Sequence, residues 1–319
     1  MNGRIILSVL IAFTIIFSSL FYIHFTSIPL EQESNRYSTF SESVDITSYN
    51  LFILGSSHVG QLNSKLIIES IKEKNTDYNV FNLATNGDTP ERRISNVDDI
   101  VSLNPEIIFY GISYRDFVSS SSTIESENIL LNLKLLFKEN VPEDLESLNP
   151  QLISRQIIRD VLNNYGIIDI AKFDIRPPNT PFFSLGNAQT LILEDPDLER
   201  LVTTVNPQPH TLHISSINNP QIESFKKIIE EFQEHDIKVV VFTTPIHDFY
   251  LEHIPNETNE SFEQIINNIS NEYEINVYDF TKKYSGLHVW NNLDHIAYND
   301  NSNEFSNDIV EMITEEIDD

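Results

Sequence analysis

Residues 51–62 read LFILGSSHVGQL, and this short stretch decides the fold because it holds a strand, a turn and the start of a helix. The predicted strand Asn50–Leu54 is followed by Gly55 and two serines, and apolar residues then recur at helical spacing from Val59 to Ile71. A hydroxyl in this turn projects from the carboxyl end of the strand, beside the unpaired N–H groups of a helix start. Ser57 is therefore a candidate nucleophile, although capping the helix is the commoner role of a serine there.

The same alternation of strands and helices continues along the chain. Further apolar runs predict strands, and amphipathic patterns predict helices between or after them: strands at Tyr78–Leu83, Glu106–Tyr110, Lys238–Thr243 and Ile275–Phe280, and helices from Asn219, around Phe262–Ile269 and around Phe305–Ile317. Strands with continuous apolar runs, separated by helices, indicate a parallel sheet covered on both faces. The expected fold class is α/β, with a doubly wound parallel sheet of five strands that binds ligands beyond the strands' carboxyl ends.

Residues 118–218 interrupt this alternation. They begin with a serine-rich run, continue with Leu-rich helical patterns and end in irregular, proline-containing sequence. We expect a largely helical insertion between the third and fourth strands. It either caps the site or is a decoration that buries its own apolar stripe.

Composition excludes several classes of function. The 319-residue chain has no cysteine, which excludes a thiol nucleophile, a disulfide framework and cysteine-based metal sites. Lys and Arg number 20 against 48 Asp and Glu, a formal net charge of -28, which disfavours a nucleic-acid partner.

The N-terminus carries an uncharged apolar run at residues 5–23, long enough to cross a bilayer. Arg4 precedes it and acidic residues follow, so the positive-inside rule places the rest of the chain outside the cytoplasm. We expect a single-pass signal anchor at 1–25, a polar tether at 26–45 and one domain at 46–319. A cleaved signal peptide and a buried core helix are the alternatives.

Three more polar segments follow predicted strands or precede the last helix. Residues 81–87 read FNLATNG and residues 109–116 read FYGISYRD, each continuing from a strand into a loop. Residues 290–295 read WNNLDH, and a histidine there could reach the serine as a general base.

Taken in order, these blocks resemble the SGNH/GDSL hydrolase family: Gly-x-Ser after the first strand, a glycine loop after the second, a Gly-x segment after the third and Asp-x-x-His near the end. The resemblance implies a flavodoxin-like fold and an acyl-enzyme mechanism. It makes Ser57 the nucleophile and His295 the base. In this family an oxyanion hole is formed by backbone N–H groups, here including that of Gly87, and by a third-block side chain.

Two positions depart from the family pattern. The third-block asparagine position is Ser113, whose shorter side chain donates one hydrogen bond, and the aspartate of Asp-x-x-His is Asn292. An amide can hold the imidazole but cannot stabilise an imidazolium. Asp294 adjoins His295, but neighbouring side chains usually diverge; Asp300, Asp279 or a backbone carbonyl are the remaining candidates for orienting the base.

The other histidines and motifs give weaker evidence for a functional site. His247 is a second candidate base, for which a solvated loop position is the favoured interpretation. His210 and His213 have metal-ligand spacing without an obvious third ligand, so no metal site is expected. Neither a P-loop nor a dinucleotide fingerprint is present, and no cofactor is expected.

The preferred hypothesis is a membrane-anchored, extracytoplasmic serine hydrolase or O-acyltransferase that acts on an acyl ester. The family resemblance and the expected location suggest a small acyl-ester molecule or an envelope glycan as its substrate. The alternative is a catalytically degraded module of the same fold that binds a glycan or protein partner at the cell envelope. A structural envelope protein is a third possibility.

Overall fold

The computed structural model describes residues 37–118, 179–183 and 190–318, with positions 38, 39, 43, 46, 76, 206, 207 and 216 left out. The strands are β1 (Tyr49–Leu54), β2 (Tyr78–Asn82), β3 (Pro105–Ile112), β4 (Lys238–Thr243) and β5 (Asn276–Tyr278). The α-helices are α1 (Ser57–Gly60), α2 (Ser64–Lys74), α3 (Pro90–Arg93), α4 (Val97–Val101), α5 (Asp195–Leu201), α6 (Pro220–Glu234), α7 (Asp248–Leu251), α8 (Asn256–Tyr273) and α9 (Glu304–Asp318). Single 3-10 turns occur at Ile94–Asn96, Tyr114–Phe117 and Pro209–Thr211.

The five strands form one parallel sheet in the order β2-β1-β3-β4-β5. The prediction of an α/β fold with a five-stranded parallel sheet is confirmed. The chain runs from β1 outward to β2 and then crosses back to β3, so the strand order reverses between β1 and β3. Open α/β sheets bind their ligands at such a reversal, beyond the carboxyl ends of the two strands.

The helices pack in two groups. Helix α9 lies against α2, whereas α6 contacts α3, α4 and α8. Right-handed crossovers require this division, because the connection from β1 runs in the opposite direction along the sheet from the later ones. Both faces of the sheet are therefore covered, and the central strands β1, β3 and β4 are buried almost throughout.

The helix predicted after β1 is divided in two. Helix α1 ends at Gly60, and α2 begins after Asn63, whose side-chain oxygen accepts a hydrogen bond from the Leu66 N–H. The apolar spacing runs through the break, so periodicity alone could not reveal it, whereas the Asn cap marks it. The division leaves Ser57 as the first residue of a single helical turn.

Gly55 allows this turn to lie close to the sheet. Its φ is +146°, and a Cβ there would approach the Val59 side chain to 2.5 Å and the Gly111 carbonyl oxygen to 2.8 Å. A larger residue would push α1 away from β3. The site residues that follow β1 and β3 are thereby held near each other.

Part of the segment expected to be a tether belongs to the domain. Tyr37, Phe40 and Val44 are buried in the hydrophobic core, and the Phe40 ring packs against those of Phe52 and Phe81. Burial of two aromatic side chains outweighs the polar character of the surrounding sequence. The packed part of the chain therefore begins before the expected boundary at residue 46.

A buried ion pair joins the loops that follow β1 and β2. Arg93 donates from Nε to Asp88 Oδ2 at 2.8 Å, and its Nη2 donates to the Gly55 and Leu83 carbonyl oxygens at 3.4 and 3.3 Å. Arg93 also donates to the Tyr37 hydroxyl at 2.7 Å. A buried guanidinium is tolerated because each of its three nitrogens donates a hydrogen bond to an acceptor.

The described parts of the expected insertion contact both helix α1 and the segment that contains Trp290. The Phe183 ring lies over Gly60 in α1, where a Cβ would approach it to 2.4 Å. Leu193 donates its N–H to the Trp290 carbonyl oxygen at 2.7 Å. The Leu-rich helical patterns of the insertion, up to residue 178, lie outside the described residues.

The expected anchor at 1–25 also lies outside the described residues. Among the residues that are described, no helix has both the length and the apolar character needed to cross a bilayer.

Candidate active site

Ser57 and His295 meet at the carboxyl end of β1. The Ser57 Oγ lies 2.8 Å from His295 Nε2, although the two residues are 238 positions apart in the chain. Ser57 is half-buried, so its hydroxyl is within reach of a ligand, whereas the neighbouring Ser56 is buried. The structure thus brings together an accessible alcohol and an imidazole at proton-transfer distance.

A tight loop presents His295. The segment from Trp290 to Ile296 closes on itself through an antiparallel bridge, and the Asn291 N–H donates to the His295 carbonyl oxygen at 2.9 Å. The loop is fixed to the segment between β4 and α7, because His247 donates its N–H to the Leu293 carbonyl oxygen at 2.9 Å. The ring of His295 is therefore held by its backbone as well as by its side-chain partners.

Asp294 provides the carboxylate for His295. Its Oδ1 lies 2.7 Å from His295 Nδ1, so the imidazole is flanked by a hydroxyl on one nitrogen and a carboxylate on the other. The expectation that adjacent side chains diverge does not hold here, because residues 291–294 form a bend instead of an extended strand. Ser57, His295 and Asp294 form the Ser-His-Asp arrangement of acyl-transfer enzymes.

Asn292 supports the loop and the ring together. Its Oδ1 accepts a hydrogen bond from the Asp294 N–H at 3.0 Å and lies 3.1 Å from His295 Nδ1. An Asx turn of this kind bends the chain, which turns Asp294 back toward His295. The two alternative acids lie elsewhere: Asp279 accepts from the Thr243 hydroxyl at 2.7 Å, and Asp300 is exposed.

Arg115 holds the far oxygen of this carboxylate. Its Nη2 lies 3.0 Å from Asp294 Oδ2, and it reaches the loop from the 3-10 turn that follows β3. Burial by itself would raise the pKa of Asp294, but the charges of Arg115 and His295 reverse this and hold the pKa well below its usual range. Asp294 is therefore ionised at neutral pH.

His58 completes the cluster from helix α1, which also carries Ser57. Its ring stacks on that of His295, with 4.3 Å between the centroids and 19° between the planes. Its Nδ1 lies 2.7 Å from Ser56 Oγ and its Nε2 lies 3.4 Å from Asp294 Oδ2. Burial, with a smaller effect of His295, lowers the pKa of His58 to about 4.

The two residues predicted to stabilise an oxyanion lie in the loops that follow β2 and β3. Gly87 has left-handed backbone (φ 65°), and its loop is joined to the turn that holds Ser57 by a hydrogen bond from Thr85 N–H to the Gly55 carbonyl oxygen at 3.0 Å. Ser113 directly follows β3 and is buried. The oxyanion role of both residues stays a prediction.

Asp116 lies next to Ser113 and gives the site a titrating group near neutral pH. Its Oδ2 accepts from the Ser113 N–H at 2.6 Å. Burial raises the pKa of Asp116 from 3.8 to about 7, helped by the nearby Asp88 and opposed by the Ser113 hydrogen bond. The folded protein therefore keeps a proton that the unfolded chain releases near pH 4.

This difference makes stability depend on pH. Because the folded state binds the extra proton, the contribution of Asp116 to the free energy of unfolding, measured as the difference between wild type and Asp116→Asn, should fall as pH rises from about 4 to about 7 and level off above. His58, whose pKa is lowered to about 4, contributes in the opposite direction over part of this range in both proteins and cancels in the difference. Asp116→Asn keeps an acceptor for Ser113 and should be more stable than wild type at pH 8, by on the order of 3 kcal/mol. Urea unfolding at pH 4, 6 and 8 measures this, and parallel stability curves for the two proteins would contradict it.

The remaining histidines of interest lie outside this cluster. His247 was expected to be solvated, but it is buried; its Nδ1 accepts from the Phe249 N–H at 3.1 Å and so begins α7. His210 and His213 are exposed, and in the described part of the chain neither belongs to a group of possible metal ligands.

His58, Asp294 and His295 each offer one atom within 4.8 Å of the others, which is close enough for a shared metal ion. The Arg115 guanidinium, however, already lies on the Asp294 oxygen that faces His58. A positive charge at this point occupies the place that a divalent cation would take. The arrangement suits proton transfer better than metal binding.

Sequence reasoning did not single out His58 or Arg115. Both stand inside the quoted blocks, directly after Ser57 and two positions after Ser113, so proximity to a candidate residue was the available signal. Neither belongs to the family pattern, and their roles depend on contacts between segments far apart in the chain.

No family model matches the chain, and no curated protein matches it. Among solved structures, one described as the crystal structure of TesA aligns with 72% of this chain and 76% of that chain, at 8% sequence identity and a TM-score of 0.35. A likeness at this TM-score supports no conclusion about function.

Proposed function

We propose that this protein is a serine hydrolase or O-acyltransferase of the SGNH type. One observation carries the proposal: the Ser57 hydroxyl lies 2.8 Å from His295 Nε2, while Asp294 lies 2.7 Å from His295 Nδ1. The three groups stand at the strand-order reversal of a doubly wound sheet, where such folds bind ligands.

The reaction proceeds in two steps. Ser57 Oγ attacks the acyl carbonyl carbon while His295 Nε2 takes the hydroxyl proton, and His295 then gives that proton to the departing alcohol as the acyl–Ser57 ester forms. A water molecule or an acceptor hydroxyl next loses its proton to His295 and attacks this ester. The acyl group leaves with it, and the proton returns to Ser57. Asp294 stabilises the imidazolium in both steps.

Hydrolysis and acyl transfer differ only in what takes the acyl group from Ser57: a water molecule in hydrolysis and an acceptor hydroxyl in transfer. In the membrane-anchored form that the N-terminal sequence predicts, the domain works outside the cytoplasm, and an O-acyl group on an envelope glycan is the proposed substrate class. This part rests on residues 5–23 and on the family resemblance. The alternative of a degraded binding module rests on two departures from the family pattern, Ser113 and Asn292. Asp294 supplies the carboxylate that Asn292 lacks, whereas Ser113 still lacks the longer side chain of the pattern.

A fluorophosphonate probe tests the proposal, because it reacts covalently with activated serines. In the full chain we expect a single adduct, located by mass spectrometry on the peptide that contains Ser57. Ser57→Ala should not be labelled, whereas Ser56→Ala, which changes the adjacent buried hydroxyl, should still accept the probe. No adduct, or an adduct that survives in Ser57→Ala, would remove Ser57 from the mechanism.

A further inference from the structure

The position of Asp294 in the chain does not by itself hold its carboxylate in place; other side chains must do so. Asp294 adjoins His295, and it is only 5% exposed, so the cost of misplacing the charge is high. Arg115 approaches Oδ2 from the end of β3, and His58 approaches the same oxygen from α1. The carboxylate is thus held between two side chains on its far oxygen and His295 on its near oxygen.

The tautomer of His58 follows from its neighbours. A carboxylate oxygen only accepts hydrogen bonds, so the ring nitrogen that faces Asp294, Nε2, carries the proton. Nδ1 is then the acceptor, and the Ser56 hydroxyl donates to it across 2.7 Å. Within the described part of the chain, Nε2 makes no hydrogen bond, and its 3.4 Å contact with Asp294 Oδ2 is an electrostatic one to the acceptor that faces it.

The stacking of His58 on His295 adds a second constraint. With 4.3 Å between the centroids, the His58 ring covers one face of the base and restricts its tilt. Burial lowers the pKa of His58 to about 4, so that the ring is neutral when His295 takes up its proton. The titratable and charged groups that face it are Asp294, His295 and Arg115.

We propose that His58 is a positioning residue, which, together with Arg115, holds the Asp294 carboxylate and the His295 ring in the geometry that proton transfer from Ser57 requires. The inference rests on the proposed function and deepens it. His58, the residue after the proposed nucleophile Ser57, then supports the proposed base His295. Ser56 takes part by fixing the orientation of the His58 ring.

The test uses the full chain and two substitutions. His58→Phe keeps a flat ring over His295 but removes the donor, whereas His58→Gln keeps a donor near the position of Nε2. We measure the far-downfield proton NMR signal of the His295 Nδ1–H bound to Asp294, and kcat and KM with an activated acyl ester. His58→Phe should lose the signal and lower kcat about 10- to 100-fold with KM within about twofold, and His58→Gln should restore most of both.

His235→Phe is the control, because it makes the same replacement at the C-terminal end of α6, just before β4 and at the opposite end of the sheet from the site, where His235 Nδ1 lies 2.8 Å from the Glu231 carbonyl oxygen. It should leave both the downfield signal and kcat unchanged. Should His58→Phe fail to fold, Ser56→Ala decides instead: weakening of the signal supports the inference and an unchanged signal overturns it.

The outcomes separate the inference from the proposed function. A wild-type protein that turns over the ester, with His58→Phe unchanged in both signal and kcat, would overturn the positioning role alone. If the signal depends on His58 while the wild-type protein neither hydrolyses the ester nor reacts with the fluorophosphonate, the positioning role holds and the proposed function fails.

Discussion

Ser57→Ala should reduce kcat/KM for an activated acyl ester by about 10⁴-fold or more, to the level of the uncatalysed reaction with bound substrate. The other alcohol in the cluster, Ser56, is buried and donates to His58, so it cannot take over the attack. His295 would keep its carboxylate partner but would have no hydroxyl to deprotonate. Release of p-nitrophenol from p-nitrophenyl acetate by the full chain measures this.

The matched control is Ser56→Ala, which removes a hydroxyl one position away on the same turn. We expect a loss of about 10-fold, because Ser56 acts only through the orientation of His58. Equal losses in the two variants would point to damage of the turn. A wild-type rate in Ser57→Ala would show that the Ser57–His295 contact has no catalytic role.

Much of the fold follows from local patterns. The apolar runs that predict β1, β3 and β4 agree with the observed strands to within two residues at each end, because central strands of a parallel sheet are buried on both faces. Strand β5 is shorter than its predicted span, since only three residues pair at the edge. The Asn219 cap predicted the start of α6.

Only part of the site could be predicted from the sequence. Ser57 and His295 could be paired because each stands where a parallel sheet gathers its loops. The convergence of Asp294 on His295 depends on the bend made by Asn292, and the contact of Arg115 with Asp294 depends on the length of the turn after β3. The direction of a side chain in an irregular loop produces no periodic pattern in the sequence.

The burial of Tyr37 and Phe40 shows the same limitation. A polar composition around them predicted a tether, but a few aromatic side chains suffice to bind a segment to a core. The hydrogen bond from Arg93 to the Tyr37 hydroxyl adds a polar contact that composition could not indicate.

Asp294→Asn should lower kcat by about 10³- to 10⁴-fold with little change in KM, as loss of the carboxylate does in serine proteases. The amide cannot stabilise the imidazolium that forms when His295 takes the Ser57 proton. Its NH₂ group, if it faces Nδ1, also favours the wrong tautomer of the ring. Since the variant leaves Arg115 without its carboxylate, rates are compared at a temperature at which circular dichroism shows both proteins folded.

Two substitutions at Asn292 determine which position supplies the acid. Asn292→Ala should cost about 10-fold or less, because it weakens the bend and removes a second acceptor for His295 Nδ1, but leaves the Asp294 carboxylate in place. Asn292→Asp should not raise the rate, since it adds a second negative charge beside an acid that is already ionised. If Asn292→Asp were faster and Asp294→Asn were unimpaired, the acid beside His295 would belong at position 292, as in the SGNH pattern. The Asp294–His295 contact would then be incidental to catalysis.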